Sequence, residues 1–269
     1  MSTVDTRESD PKSVKKDLRL VLHQVKYEQM AFWVNRTGAI FTIGFSVLFL
    51  VLLGATNGSQ TISSLHNITN DQFYVPGFAA YGVMSACFTM LAINLVTRRE
   101  TGLLKRLRLS PLPTWALLAA IYISTAIVAV SQVAVILVIG RLGYGVQFPT
   151  NWLALVLVLV VGIACFTAMG VAISSVIPNQ ETAGPVMSIA FFLLLFLSGL
   201  WFPISPTSGL ATFSKFFPVY HLLQAMAAPF QLQPGVSAWA WGDLGIIALW
   251  GVGCGLIALR RFRWSPRRT

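Results

Sequence analysis

Six apolar stretches, at roughly 37–55, 77–97, 115–139, 152–176, 186–202 and 244–259, constrain this chain more than any other feature. None contains Asp, Glu, Lys or Arg. Each is close to the ~20 residues an α-helix needs to cross a ~30 Å hydrocarbon core, the last being short. Only 10% of the residues are charged and 55% are hydrophobic, where a soluble domain carries about 25% charged residues. The deficit follows if most of the chain faces lipid, where charge is costly. The expected fold class is an all-α membrane protein with six transmembrane helices. The first 36 residues are polar and mixed in charge, so no cleavable signal peptide is expected.

The net charge of +10 would raise nucleic acid as a partner for a soluble protein. Here the basic residues are sorted by the spans instead, and no nucleic-acid partner is expected. Seven precede residue 37, five lie between spans two and three, and five follow span six. Only Arg141 and Lys215 fall on the other side. Lys and Arg accumulate in cytoplasmic loops, so both termini are expected inside. The expected division is a cytoplasmic tail and amphipathic helix over 1–36, a six-span domain over 37–262 and a basic tail over 263–269.

Two segments depart from simple hydropathy. Near the N-terminus, Leu18, Val21, Leu22 and Val25 recur at helical spacing among Lys15, Lys16, Arg19 and Lys26, with Phe32 and Trp33 following. That pattern fits an amphipathic helix at the cytoplasmic interface; a solvated helix packed on a partner protein fits it too. On the outer side, 203–241 carries Leu210, Phe213, Phe216, Phe217, Leu222, Leu223 and Met226, too apolar for a free loop. Five prolines and the orientation rule argue against a seventh span. Short re-entrant helices, tolerated where protein covers them, are expected between spans five and six.

Other features carry little chemistry. Cys87, Cys165 and Cys254 all lie inside apolar runs and lack zinc-ligand spacing, so they read as buried free thiols and no metal site is expected. Asn57-Gly58-Ser59 and Asn67-Ile68-Thr69 fit the N-glycosylation pattern, which a polar loop of turn formers also matches. The sequence has no G-x-x-x-x-G-K-[ST] phosphate loop, no H-E-x-x-H and no G-x-S-x-G. The spans also lack the ionisable relays common in ion-coupled transporters. Their most polar groups are Asn94 and Gln132. Interhelical hydrogen bonding is the default role for both, and a substrate path the alternative.

The connection from Arg98 to Thr114 is the most informative stretch. Leu103, Leu104 and Leu107 share one helical stripe, with Arg98, Arg99, Lys105, Arg106 and Arg108 around it. Ser110-Pro111 ends the run, because proline disfavours helix in the residue before it. Residue chemistry alone leaves open a short mounted helix or a basic loop with leucines resting on headgroups.

This segment is similar to the cytoplasmic loop of ABC-2 type exporter permeases, in which R-E-x-G-x-x-x-R-L-x-x-S-P-L-P recurs. Arg99, Glu100, Gly102, Arg106, Leu107, Ser110, Pro111, Leu112 and Pro113 match it. Further matches are Asn179-Gln180-Glu181-Thr182-Ala183, Leu197-Ser198-Gly199 through Phe202-Pro203, and Phe217-Pro218-Val219-Tyr220-His221. Their order resembles the daunorubicin-resistance-like branch in particular. The resemblance implies a permease subunit that is not itself an enzyme and binds no cofactor. ATP and Mg would be handled by separate ABC ATPase subunits, and a second permease chain, identical or homologous, would complete the pore. It also implies that Arg99, Glu100, Gly102, Leu103, Leu104, Lys105, Arg106, Leu107, Ser110 and Pro111 form a coupling helix seated on the ATPase. The implied location is a bacterial plasma membrane, and the implied cargo is a drug-like or lipid-like small molecule moved outwards. A polysaccharide or glycolipid exporter is the alternative within the class, and an ion-coupled transporter or channel the alternative outside it.

Overall fold

The computed structural model describes residues 11–57, 60–62, 68–103, 114–201, 209–232 and 237–261. Helix α1 (Pro11–Val34) is followed by the first span, α2 (Arg36–Asn57). A two-residue antiparallel ladder, β1 (Thr61–Ile62) with β2 (Ile68–Thr69), pairs Thr61 with Thr69 and Ile62 with Ile68. The second span comprises α3 (Asn70–Met84), a π-helical turn (Ser85–Met90) and α4 (Leu91–Glu100). Spans three to five are α5 (Thr114–Tyr144), α6 (Trp152–Ser174) and α7 (Gln180–Ser198). Two short helices, α8 (Gly209–Ser214) and α9 (Pro218–Ala227), precede the sixth span, α10 (Trp241–Arg261).

Among the described residues, six helices are long and apolar enough to cross a membrane, as the apolar stretches predict. Helix is the only open-ended structure that satisfies every backbone polar group in hydrocarbon. The second span starts at Asn70, not near 77, and the fifth at Gln180, not near 186. Hydropathy places both starts late because Asp71 and Glu181 sit in the first turns, where the positive end of the helix dipole favours a carboxylate. Local caps fix several of these ends. Thr69 N–H donates to Gln72 Oε1 at 3.2 Å. Asn151 Oδ1 accepts from Ala154 N–H and Asn179 Oδ1 from Thr182 N–H, each at 3.0 Å. Gly199, at φ 79°, ends α7 in the left-handed region that a Cβ disfavours.

The second span is the axis of the bundle. With 31 residues it is about 46 Å long at 1.5 Å per residue, well beyond the ~30 Å hydrocarbon core. Helices α2, α5, α6 and α9 all pack against α3, while α6 and α7 pack against α4. Phe78, Val83, Cys87 and Val96 are fully buried along it. The closest backbone approach is at the π turn: a Cβ on Gly170 would lie 2.7 Å from the Cys87 carbonyl oxygen and 3.0 Å from that of Phe88. Absence of a side chain at 170 lets α6 touch the second span there.

The segment between spans five and six forms two short helices. Helix α9 packs on α3, α6, α7 and α10, burying Val219, Leu222, Leu223 and Met226, which accounts for its apolar composition. His221 Nε2–H donates to the Lys215 carbonyl at 2.8 Å, and Nδ1 lies 2.6 Å from Asp243 Oδ1 at the start of α10. Burial, and then the Asp243 carboxylate, push the neighbouring Tyr220 phenol above its ordinary pKa. Trp250 Nε1–H donates to the Phe216 carbonyl at 2.9 Å, closing the same joint. The cysteines are free, with Cys87 and Cys165 buried and Cys254 partly so.

Candidate functional site

The end of the second span holds the start of the segment singled out in the sequence. Thr101 N–H and Oγ1–H both donate to the Thr97 carbonyl, at 2.9 and 3.0 Å. Gly102 then adopts φ 71° and donates its N–H to Arg99 O at 3.2 Å. A left-handed residue just past the last helical turn stops the helix and redirects the chain. The Gly in R-E-x-G therefore serves a backbone conformation.

The two arginines before that stop point to different partners. Arg99 is 3% exposed. Its Nη1 donates to Ser174 O at 3.0 Å, and its Nη2 to Ile177 O at 2.7 Å and Pro178 O at 3.2 Å. These carbonyls lie at the C-terminal end of α6 and in the turn after it, where helix geometry leaves acceptors unpaired and the dipole is negative. Arg99 Nε also reaches Glu100 Oε1 at 3.4 Å. Arg98 pairs with Glu28 on α1, Nη1 to Oε1 at 2.8 Å and Nη2 to Oε2 at 2.5 Å. The two-pronged geometry fixes α1 against the span as well as neutralising the charge. A planar guanidinium makes either attachment; a lysine could reproduce neither.

Helix α1 is anchored by more than that pair. Gln29 Nε2 donates to Ser124 O and Oγ on α5 at 2.8 and 2.9 Å. Val21 and Val25 are buried against Ala116 and Ala120 of α5, so one face of the amphipathic helix rests on the chain's own third span. Leu22, Met30, Trp33 and Val34 remain exposed. The side chains of Lys15, Lys16 and Leu18 lie outside the described residues.

Of the residues expected to form a coupling helix, Arg99 faces inward, Glu100 and Gly102 are partly exposed, and Leu103 is 41% exposed. Leu104, Lys105, Arg106, Leu107, Ser110 and Pro111 lie outside the described residues. Gln132 is fully buried. Its Nε2 donates to Thr42 O and Ser46 Oγ at 2.8 Å each and reaches Ser85 Oγ at 3.5 Å, tying the first three spans together. Asn94, by contrast, faces a cavity between α1, the second span and α5. Sequence reasoning missed the pairing of Glu28 with Arg98. The available signal was a carboxylate at 28 on the same helical stripe as Val21 and Val25, where an apolar residue would be expected.

Six helices long and apolar enough to cross a membrane, the second fastened at its end to two neighbouring elements, define a multi-pass membrane protein. The family profile described as ABC-2 family transporter protein matches residues 55–260, so the chain belongs to that family. Among curated proteins it is similar to "Putative transport permease YvfS" of Bacillus subtilis (strain 168), 26% identical over 150 residues, 55% of this chain and 61% of that one. It is also similar to "Probable multidrug ABC transporter permease YbhR" of Escherichia coli (strain K12), 25% identical over 138 residues, 51% of this chain and 38% of that one. The chain therefore matches about three-fifths of the length of the first relative and under two-fifths of the second.

Proposed function

We propose that this chain is the membrane subunit of an ATP-driven exporter for a hydrophobic or amphiphilic small molecule. It works with separate ABC ATPase subunits and a second permease chain, with both termini in the cytoplasm. The observation that carries the reading is the mounting of the loop. The segment resembling the family's coupling helix opens at Arg99, and Arg98 and Arg99 fasten the end of the second span to α1 and to the α6–α7 turn. A push on that loop would reach three elements at once. The apolar stretches of the spans hold no Asp, Glu, Lys or Arg to relay an ion, and the word multidrug in one relative's name favours a small-molecule cargo.

The test is the joint itself. Each leucine buried in an ATPase groove would contribute about 1.5–3 kcal/mol. Changing Leu104 and Leu107 together to Asp should therefore weaken ATPase capture by about 100-fold or more, while the permease still inserts. Pull-down of the ATPase and stimulated hydrolysis in nanodiscs report both effects. A correctly folded double variant that retains its ATPase and transports at the wild-type rate reduces 98–113 to a basic loop.

A further inference from the structure

A cavity of about 90 Å³ lies between α1, the second span and α5 at the Arg98 end of the bundle. On the scale at which ~10–15 Å³ holds one water, it has room for several, the size of a small polar headgroup. Its walls are apolar, with Phe32, Met90, Leu95 and Ile121 among them. Its polar lining is Glu28, Asn35, Asn94, Arg98, Ser124 and Thr125.

The hydrogen-bond accounts of that lining are unequal. Ser124 Oγ accepts from Gln29, and Thr125 Oγ1–H donates to Ile121 O. Asn35 uses its Oδ1 to accept from Gly38 N–H, and its amide N–H groups donate to no described residue. The Asn94 side chain makes no hydrogen bond to any described residue. Its carboxamide offers two donors and an acceptor to the cavity. Arg98 keeps further N–H groups beyond the two that reach Glu28. Glu28 Oε1 also accepts from Gln24 Nε2 at 3.1 Å, so its spare lone pair is on Oε2. The cavity thus presents donors, an acceptor amide and a neutralised pair of opposite charges in an apolar frame.

That combination selects its ligand. A simple anion drawn to Arg98 would meet Glu28, and a simple cation drawn to Glu28 would meet Arg98, so each is penalised by a like charge. A group carrying both charges a few ångströms apart satisfies both. We infer that the cavity is a binding site for a zwitterionic ammonium–phosphate headgroup, the ammonium toward Glu28 and the phosphate toward Arg98 and the Asn94 and Asn35 amides. The apolar walls and the position at the end of the spans assign that headgroup to an acylated lipid or a lipid-like amphiphile. The site is independent of the exporter reading, since its occupancy is measured with neither ATPase nor transport.

The purified full chain in detergent is titrated with dihexanoylphosphatidylethanolamine and, separately, with dihexanoylphosphatidylglycerol, with bound copies counted by native mass spectrometry. The ethanolamine lipid should bind about tenfold more tightly. Asn94→Leu should erase most of that preference, a loss of about tenfold for hydrogen bonds to a charged group. Ala31→Trp, at an exposed position on the rim, should block the site without touching the core. Glycerophosphoethanolamine separates the sources: binding only when acyl chains are present assigns a membrane lipid, whereas equal binding of the bare compound assigns a soluble metabolite with the same headgroup. Equal binding of the two lipids, or an ethanolamine preference that survives Ala31→Trp in a protein of unchanged stability, overturns the proposal.

Discussion

Apolar 18-residue stretches of the second and sixth spans have nearly the same mean hydropathy, 1.7 and 1.8, yet 72% of the former is buried and only 17% of the latter. Apolar composition admits a helix to the membrane and is silent on whether lipid or protein surrounds it. The difference lies in details that hydropathy averages away. The second span has a π turn, Gly170 against its backbone and Gln132 beside it. The sixth turns Leu249, Val252, Leu256 and Leu259 outward. Its tightest glycine contact is at Gly251, where a Cβ would lie 3.1 Å from Cys165 Cα on α6. The central helix is surrounded by packed elements, the peripheral one held along α6 and at its joint with α9.

Substitutions should respect that contrast. Gly170→Val should be the most damaging, because the new atoms meet backbone carbonyls that cannot rotate away. A loss of about 3 kcal/mol or more is expected, at the upper end for overpacking. Gly253→Val on the sixth span meets open space and should cost under about 0.5 kcal/mol. Thermal unfolding of the two variants in one detergent compares them, and equal melting points would erase the distinction between the spans.

Arg99→Met ranks next. It leaves the carbonyls of Ser174, Ile177 and Pro178 without the guanidinium that now serves them, at about 1–3 kcal/mol. Protease sensitivity of the 175–179 turn should rise with it. Arg260→Met, at the exposed end of α10, should change neither stability nor cleavage. Unchanged cleavage in Arg99→Met would show that the arginine does not hold the turn.

Gln132→Leu should cost less than either damaging change, about 0.5–1.5 kcal/mol. The bonds from Nε2 are lost, but so is Oε1, a buried acceptor with no partner among the described residues. Hydrogen bonds between membrane helices are worth less than their geometry suggests, because the separated helices also find partners. A cost above about 3 kcal/mol would mean that Gln132 organises the bundle and does not merely link it.

Much of this was legible in the sequence, for identifiable reasons. The spans and the packed segment before the last one follow from runs of uncharged residues and from apolar side chains between prolines. Both signals are local. Helix starts were displaced by Asp71 and Glu181, because a carboxylate lowers hydropathy where the helix dipole welcomes it. The pairing of Glu28 with Arg98 and the inward turn of Arg99 depend on residues about 70 and 75 positions apart, and no local pattern states such a pairing. Basic residues in a loop likewise read alike whether they face solvent, a partner or a carbonyl. Only the fold separated Arg99, turned inward, from Glu100, left partly exposed.

The central proposal is that ATP hydrolysis on a separate subunit drives this permease. Transport of a fluorescent amphiphile by sealed vesicles holding the permease with its ATPase tests it directly. Uptake should require both ATP and the ATPase, should persist when the proton gradient is collapsed, and should fail when Leu104 and Leu107 are both Asp. Uptake by the permease alone, without ATP and abolished by collapsing the proton gradient, would contradict the account.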